Sequence, residues 1–460
     1  MHVEDDIVDI FNLSANIAKA DNIVPDDLRD ALKAAVAPLE DVPDRFKDWH
    51  PNSEEKVLDL VHPSLFPLVY GRSRVLAEKC VGLEDCVQWT GKGEVIPTPE
   101  REPGFPLSFS DQFQWLPSEV AFTKDGAVQI QSYINNLHPV HYGQLYRVLE
   151  KLLAKAIPLW NRVLSGIDPG RQARIDPEYA GYIFPDGAWS DRERESDDPD
   201  EEEDEDAYME FRQEWIETHR IVEQPEPEKY KPRDEGVPFD LRESFQDKGF
   251  QVIVKLANIH LTPEKPTYEG GSWHVEGMLN EHICATALYY YDSENITDNH
   301  LHFRQKVENE TVLYKQYDQN DSESVEVIYD IQDHGPAIQE IGKVHTKEGR
   351  MLAFPNVLQH CVGSFELADK TKPGHRKILA FFLVDPYIRV LSTANVPPQQ
   401  RDWWAEVVSS ENTKIGQLSG ELLQHVVDDV DDFPIGLDEA KEIRLELMNE
   451  RGLNTDSFNG

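Results

Sequence analysis

Cysteine is scarce in this chain of 460 residues: there are four, Cys80, Cys86, Cys284 and Cys361. None stands in the paired CxxC spacing of a zinc site, and a chain this long needs no disulfide staples, so reduced thiols are expected. Basic charge is scarce too, with 45 Lys and Arg against 86 Asp and Glu and a formal net charge of −41. Nucleic-acid binding is carried largely by Lys and Arg facing phosphate, so no nucleic-acid partner is expected, and association with anionic membranes is disfavoured on the same ground. No apolar run reaches the ~20 residues of a transmembrane helix. The stretch Met1-His-Val-Glu-Asp-Asp-Ile7 puts acid where a secretory leader needs base, which leads us to expect a cytoplasmic protein. No Gly-rich phosphate loop opens a helix, no GxSxG occurs and no Cys and His pairing stands out. Phosphoryl transfer, dinucleotide redox chemistry and esterase chemistry therefore have no support.

What is present is enough apolar material for a sizeable core: 39% hydrophobic residues, including 9 Trp, 19 Phe and 16 Tyr. Residues 1 to 40 read as helical, with Pro25-Asp26-Asp27 as a helix start. Glu54 to Val61 reads as a short amphipathic helix. Ala127 to Ile134 alternates as a half-buried strand does and ends in Asn135 and Asn136, whose amides could serve a binding-pocket mouth or form a turn before Pro139. Leu145, Leu149, Leu152, Leu153, Ala156, Trp160 and Leu164 recur at helical spacing over Tyr142–Leu164, with Pro158 expected to kink or divide the helix. Between Asp191 and Asp206 twelve acidic residues face two basic ones, a local charge of −10. Such a segment is expected to be a solvated, disordered insertion. Phe211 to Ile221 looks helical again, and Glu223 to Pro232 reads as linker.

From Phe250 to Arg389 short β-patterned stretches follow one another: Val252–Leu261, Ile283–Tyr291, Leu301–Gln305, Val325–Ile331, Met351–Phe354, Gln359–Ser364 and Lys377–Val384. Arg401–Val408 and Asp438–Arg451 then read as helices. Within the β-rich part lies Gly271-Ser-Trp-His274-Val-Glu276-Gly277. On an extended segment His274 and Glu276 point the same way, because strand side chains alternate with a period of two. His360, on a later strand, supplies a second imidazole. Two histidines and one carboxylate on one face of an ion form the facial triad of non-haem Fe(II) oxygenases. Arg376 opens the next strand and alternates away from His375 and Lys377, so its guanidinium is the inward one and could hold a carboxylate through two parallel hydrogen bonds.

His-x-Glu, a distal His and an Arg at the start of the next strand resemble the 2-oxoglutarate and Fe(II)-dependent dioxygenase superfamily. Phe113-Gln-Trp-Leu-Pro117, Ser132-Tyr-Ile-Asn-Asn-Leu-His-Pro139 and Ala287-Leu-Tyr-Tyr-Tyr291 resemble a large, mostly fungal family that carries a domain of unknown function, the 4246 type. The first resemblance implies an α+β chain built on a double-stranded β-helix of the jelly-roll, cupin-like type, with helical extensions at both ends. We divide it into a mostly helical part (1–249), a catalytic core (250–390) and a helical cover (391–460). It further implies Fe(II) held by His274, Glu276 and His360, and 2-oxoglutarate held by Arg376 with Thr286 or Tyr289 as a second contact. Molecular oxygen and a small polar metabolite are the implied partners, the latter an amino acid or a derivative in secondary metabolism. Arg304 is a candidate for binding its carboxylate, the alternative being a surface ion pair. The oligomeric state is left open. Glu276 stands where the commoner triad has Asp, a feature of Jumonji-type proteins. A Jumonji-like protein hydroxylase or demethylase therefore stays as an alternative, as does a non-catalytic jelly-roll interaction protein.

Overall fold

The run Phe250–Leu261 is apolar on both faces, as befits a strand buried on both sides, and it is the central member of a nine-stranded sheet. In chain order the strands used below are β1 (Ile7–Ile10), β2 (Ile17–Ala20), β3 (Val57–Val61), β4 (Ser118–Phe122), β5 (Val128–Ile130), β6 (Phe250–Leu261), β7 (Ile283–Glu294), β8 (His300–Lys306), β9 (Ile338–His345), β10 (Met351–Pro355), β11 (Gln359–Val362) and β12 (Gly374–Val384). The large sheet runs β1-β2-β10-β7-β12-β6-β4-β5, with β3 also pairing with β6, and every pairing is antiparallel. A three-stranded antiparallel sheet, β9-β8-β11, accompanies it. The helices used below are α1 (Asp26–Glu40), α2 (Gly143–Leu164), α3 (Glu205–His219), α4 (Arg401–Val408) and α5 (Leu437–Asn459). The chain is thus α+β, with a large antiparallel sheet and several helices. This description comes from a computed structural model covering residues 6–10, 16–100, 108–165, 181–196, 198–202, 204–223, 238–307, 322–332, 334–409, 413, 415–430 and 432–459.

Two apolar layers follow from strand alternation. Ala285, Ala287 and Tyr289 of β7 and Leu379, Phe381 and Leu383 of β12 face α1 and α2, where Leu32, Val36, Leu149, Leu152 and Trp160 meet them. The intervening residues Leu288, Tyr290, Ala380 and Phe382 face the other way. They share a core with Phe354 of β10, Leu301 and Phe303 of β8, and Ile443 and Leu447 of α5. The space between the two sheets is therefore the place where a site can form.

Several elements differ from the sequence reading, each for a tertiary reason. Residues 7–10 and 17–20 are strands, and helix begins only at Asp26; β2 is recruited by the edge of β10. Val57–Val61 is a strand because it pairs with β6, which overrides the helix-forming Glu54-Glu55-Lys56 before it. The expected strand at 127–134 is confined to Val128–Ile130. The segment 325–331, rich in β-branched residues, lies mostly in a helix, Glu323–Tyr329, with acid in its first turn. Helix α2 continues through Pro158. An interior proline costs about 3 kcal/mol, whereas each fully buried Leu contributes about 1.5–3 kcal/mol, and α2 buries eleven side chains. Described residues of the acidic insertion are ordered by Arg192–Asp198 and Arg194–Asp200 pairs, and α3 starts inside it, capped by Asp204. Most of the expected linker lies outside the described residues. Among the described residues, no helix is long and apolar enough to cross a membrane.

Candidate metal centre

The centre is built on a reciprocal backbone pair. The His274 N–H donates to the His360 carbonyl at 3.1 Å and the His360 N–H donates back at 2.9 Å, an isolated antiparallel bridge that aligns segment 274 with β11. Opposed residues of such a pair project to the same side, and the two imidazoles lie 4.4 Å apart, centroid to centroid. Glu276 sits two residues on, in a bend. Asn356 holds it there: its Oδ1 accepts the Glu276 N–H at 2.9 Å, and its Nδ2 donates to the carbonyls of Glu276 at 2.8 Å and Ile283 at 3.1 Å. Gly277, at φ +69°, then turns the chain where a Cβ would press on Ile283.

Glu276 Oε1 lies 3.3 Å from His360 Nε2 and 3.8 Å from His274 Nε2. Metal–ligand bonds of about 2.0–2.2 Å hold neighbouring donor atoms roughly 3 to 3.5 Å apart, so one small ion fits these three atoms with little movement. His274 Nδ1 lies 2.8 Å from the Ser272 carbonyl and must donate to it, which leaves Nε2 bare toward Glu276. His360 Nδ1 is buried without a hydrogen-bond partner among the described residues. Burial alone would raise the Glu276 carboxyl, but His274 and His360 hold it well below the usual carboxylate range. Burial alone would lower His274, but Glu276 and the Ser272 carbonyl raise it above its ordinary value, so an ion here would take the place of a proton among two imidazole nitrogens and a carboxylate, the donor set that non-haem Fe(II) uses.

Two other groups among the described residues bring His and acid together: His50, Asp59 and His62, and His138, His141 and Glu406. Their tautomers are wrong for a metal. His62 Nδ1 accepts the Ser64 N–H, and His138 Nδ1 accepts the N–H groups of Val140 and His141. A neutral ring that accepts at Nδ1 carries its proton on Nε2. Burial keeps both rings neutral, His62 well below its ordinary pKa and His138 down at about 4. Asp59 is also already engaged, by His50 at 2.8 Å and Arg444 at 3.4 Å.

Arg376 is 1% exposed. Its Nη1 donates to Asn299 Oδ1 at 2.6 Å, its Nε and Nη2 have no hydrogen-bond partner, and its guanidinium lies near the rings of Phe365 and Tyr290. No carboxylate among the described residues pairs with it. A buried guanidinium without a counter-charge is costly, a cost that a bound anion could offset. Thr286 is opposed by Phe354 on one side and Phe382 on the other, which puts it on the inner face; its Oγ1 is buried without a partner. Phe354 touches the His360 ring at 4.8 Å.

Other expected contacts are not brought here. Tyr289 faces the opposite side of β7, in the layer with α1 and α2, because it stands three residues from Thr286 on a strand. Arg304 pairs with Gln359 at 2.7 Å and lies 4.4 Å from the Trp273 ring centroid, next to Phe303, which alternates inward. It is on the outer face of the small sheet, where an amide and an indole are among its partners. Asn135 and Asn136 spend their Nδ2 groups on the carbonyls of His62, Leu65 and Phe66, and Asn136 has φ +69°, so both form a turn. Asn356 and Asn299 were missed. Each follows a turn signal that reads as turn alone.

Residues 1–407 match the family described as "Protein of unknown function (DUF4246)". No curated protein matches the chain. Among solved structures, the chain is similar to the Fe(II)/(alpha)ketoglutarate-dependent dioxygenase TqaL, with 13% identity and a TM-score of 0.20 over 40% of this chain and 57% of that one. It is similar to IDO from Bacillus thuringiensis, with 12% identity and a TM-score of 0.18 over 36% and 66%. It is also similar to EvdO2 from Micromonospora carbonacea var. aurantiaca complexed with 2-oxoglutarate, with 12% identity and a TM-score of 0.15 over 29% and 55%. The chain spans 55 to 66% of the length of these three structures.

Proposed function

The chain belongs to this DUF4246 family, whose description assigns no activity, and we propose that it is an Fe(II)- and 2-oxoglutarate-dependent oxygenase acting on a small polar metabolite. The observation that carries the reading is the convergence of His274 Nε2, Glu276 Oε1 and His360 Nε2, with His274 Nδ1 turned to the Ser272 carbonyl. In this reading residues 250–390 are the catalytic core, residues 1–249 widen its sheet and residues 391–460 cover it. The strand order β10-β7-β12-β6, opposed by β9-β8-β11 with the His274 segment as a fourth line, supports a double-stranded β-helix for that core.

His274, Glu276 and His360 would hold the iron on one face and leave the others free. Iron with 2-oxoglutarate and oxygen supplies the oxidation of an unactivated C–H bond, the cosubstrate leaving as succinate and carbon dioxide. The protein's residues do the rest. Arg376 offers two unengaged guanidinium nitrogens to the distal carboxylate, and Asn299 fixes the third. Thr286 Oγ1 is free to donate on the same inner face. Phe303, Phe354 and Phe382 exclude water from it.

The test is anaerobic loading with Fe(II) followed by 2-oxoglutarate and oxygen. Succinate should form slowly without any other substrate and faster with the right one. Iron-loaded protein that makes no succinate with a broad set of amino acids and related acids would sink the reading.

A further inference from the structure

We propose that Arg451, on the C-terminal helix α5, is a positioning residue for the metal ligand Glu276 and acts through Glu281; the inference rests on the metal reading above. Glu281 ends the turn that follows Glu276 and Gly277, and it is 0% exposed. Its Oε1 accepts the Trp115 N–H at 2.7 Å and Arg451 Nη2 at 2.7 Å, while its Oε2 accepts the Met278 N–H. The same turn is tied down by Leu279 N–H to the Ser108 carbonyl at 2.9 Å, and by Asn280 Nδ2 to the carbonyls of Ser110 at 3.0 Å and Phe113 at 2.9 Å. From the other side Glu450, beside Arg451 on α5, accepts the Ser110 hydroxyl at 2.8 Å. The Arg451 guanidinium lies 3.8 Å over the Trp115 ring. Segment 108–115, the turn 277–281 and α5 are therefore locked together at one buried carboxylate.

That carboxylate needs its cation. Two backbone N–H groups do not balance a fully buried negative charge, and with Arg451 gone the Glu281 carboxylate must move or let water in. Either response loosens the Met278 N–H bond and with it the turn that sets the Glu276 backbone. Donor atoms spaced for one ion tolerate little drift. The positive charge of Arg451 also reaches Glu276 itself. Helix α5 lies beyond the residues 1–407 that match the family, so that match assigns it no part in the site.

The experiment titrates the full chain with Mn(II) by calorimetry and with Co(II) by visible absorption. Arg451→Met should weaken Mn(II) binding by about tenfold or more, in the range seen when groups that orient ligands are removed, and shift the Co(II) band. Arg451→Lys, which keeps the charge, should recover most of the affinity. Glu281→Gln/Arg451→Met removes both charges and should bind better than Arg451→Met alone, which also covers the case in which the single variant folds poorly. Binding by Arg451→Met equal to that of the unaltered protein overturns the inference. So does a double variant no better than the single one, since Arg451 would then not act through Glu281. If the unaltered protein binds neither ion, the metal reading itself falls and takes this inference with it.

Discussion

His274 and His360 exchange backbone hydrogen bonds in both directions, at 3.1 and 2.9 Å, so the segments that carry the two imidazoles are aligned by main chain and not by the rings. Substituting either ring should leave the bridge and the fold in place. His274→Ala and His360→Ala should each lower Mn(II) affinity by more than about 100-fold, beyond the 10–100-fold that loss of an orienting group brings. Asn356→Ala should fall inside that 10–100-fold range, because Asn356 supplies no ligand atom and holds the backbone of Glu276 and Ile283. Calorimetric titration of the three variants, with circular dichroism to show that they fold, tests the ranking.

Arg376→Met should act with opposite signs on two quantities. Losing a charged hydrogen-bond partner to a carboxylate costs about 1.5–3 kcal/mol, so 2-oxoglutarate affinity should fall about tenfold to a hundredfold. The ligand-free protein should be no less stable, since the variant relieves a buried cation that has no counter-charge among the described residues. Titration with 2-oxoglutarate in the presence of Mn(II), and urea denaturation without ligand, read the two effects. Loss of stability with unchanged affinity would show Arg376 to be a structural residue.

Arg304→Gln and Tyr289→Phe should leave 2-oxoglutarate affinity within about threefold of the unaltered protein, since both side chains lie off the inner face. A drop of tenfold in either titration would contradict this placement.

Asp21 provides a pH test of the fold. Hydrogen bonds from Arg350, at 2.6 and 2.9 Å, outweigh burial and, with Lys347, hold the Asp21 carboxyl down at about 2, against 3.8 ordinarily. A depressed carboxyl stabilises the fold above its unfolded pKa, and the contribution is lost as pH falls from about 4 through about 2. Asp21→Asn should therefore cost about 1–2 kcal/mol at pH 7, allowing for the partial exposure of the carboxylate. Urea denaturation at a series of pH values should show the two proteins converging toward pH 2.

The parts of the centre legible in the sequence are those governed by local alternation. His274 with Glu276, and Arg376 between His375 and Lys377, could be placed because a period of two needs no knowledge of the partner strand. The same rule, applied to Thr286 and Tyr289, would have separated them, since an odd spacing on one strand sends two side chains to opposite faces. What was not legible depends on pairing at a distance. Ile338–His345 lacks clean alternation and is a strand because β8 offers it an edge. Val57–Val61 follows helix-forming residues and is a strand because of β6. Asn356 and Asn299 are amides in turns until β11 and Arg376 arrive beside them. That two nitrogens of Arg376 lack partners among the described residues is a tertiary fact, and no single sequence lists those.

The short strands β1 and β2 have a consequence of another kind. Without them the large sheet would end at β10, Met351-Leu-Ala-Phe-Pro355, every residue of which is buried. A long apolar edge with open N–H and C=O groups invites a strand from another molecule. β2 occupies that edge, and β1 becomes the new rim, four residues long and carrying Asp9 clasped by Arg162 of α2. A chain shortened past Ala20 would keep every group of the candidate metal centre, yet its first failure should be insolubility through self-association.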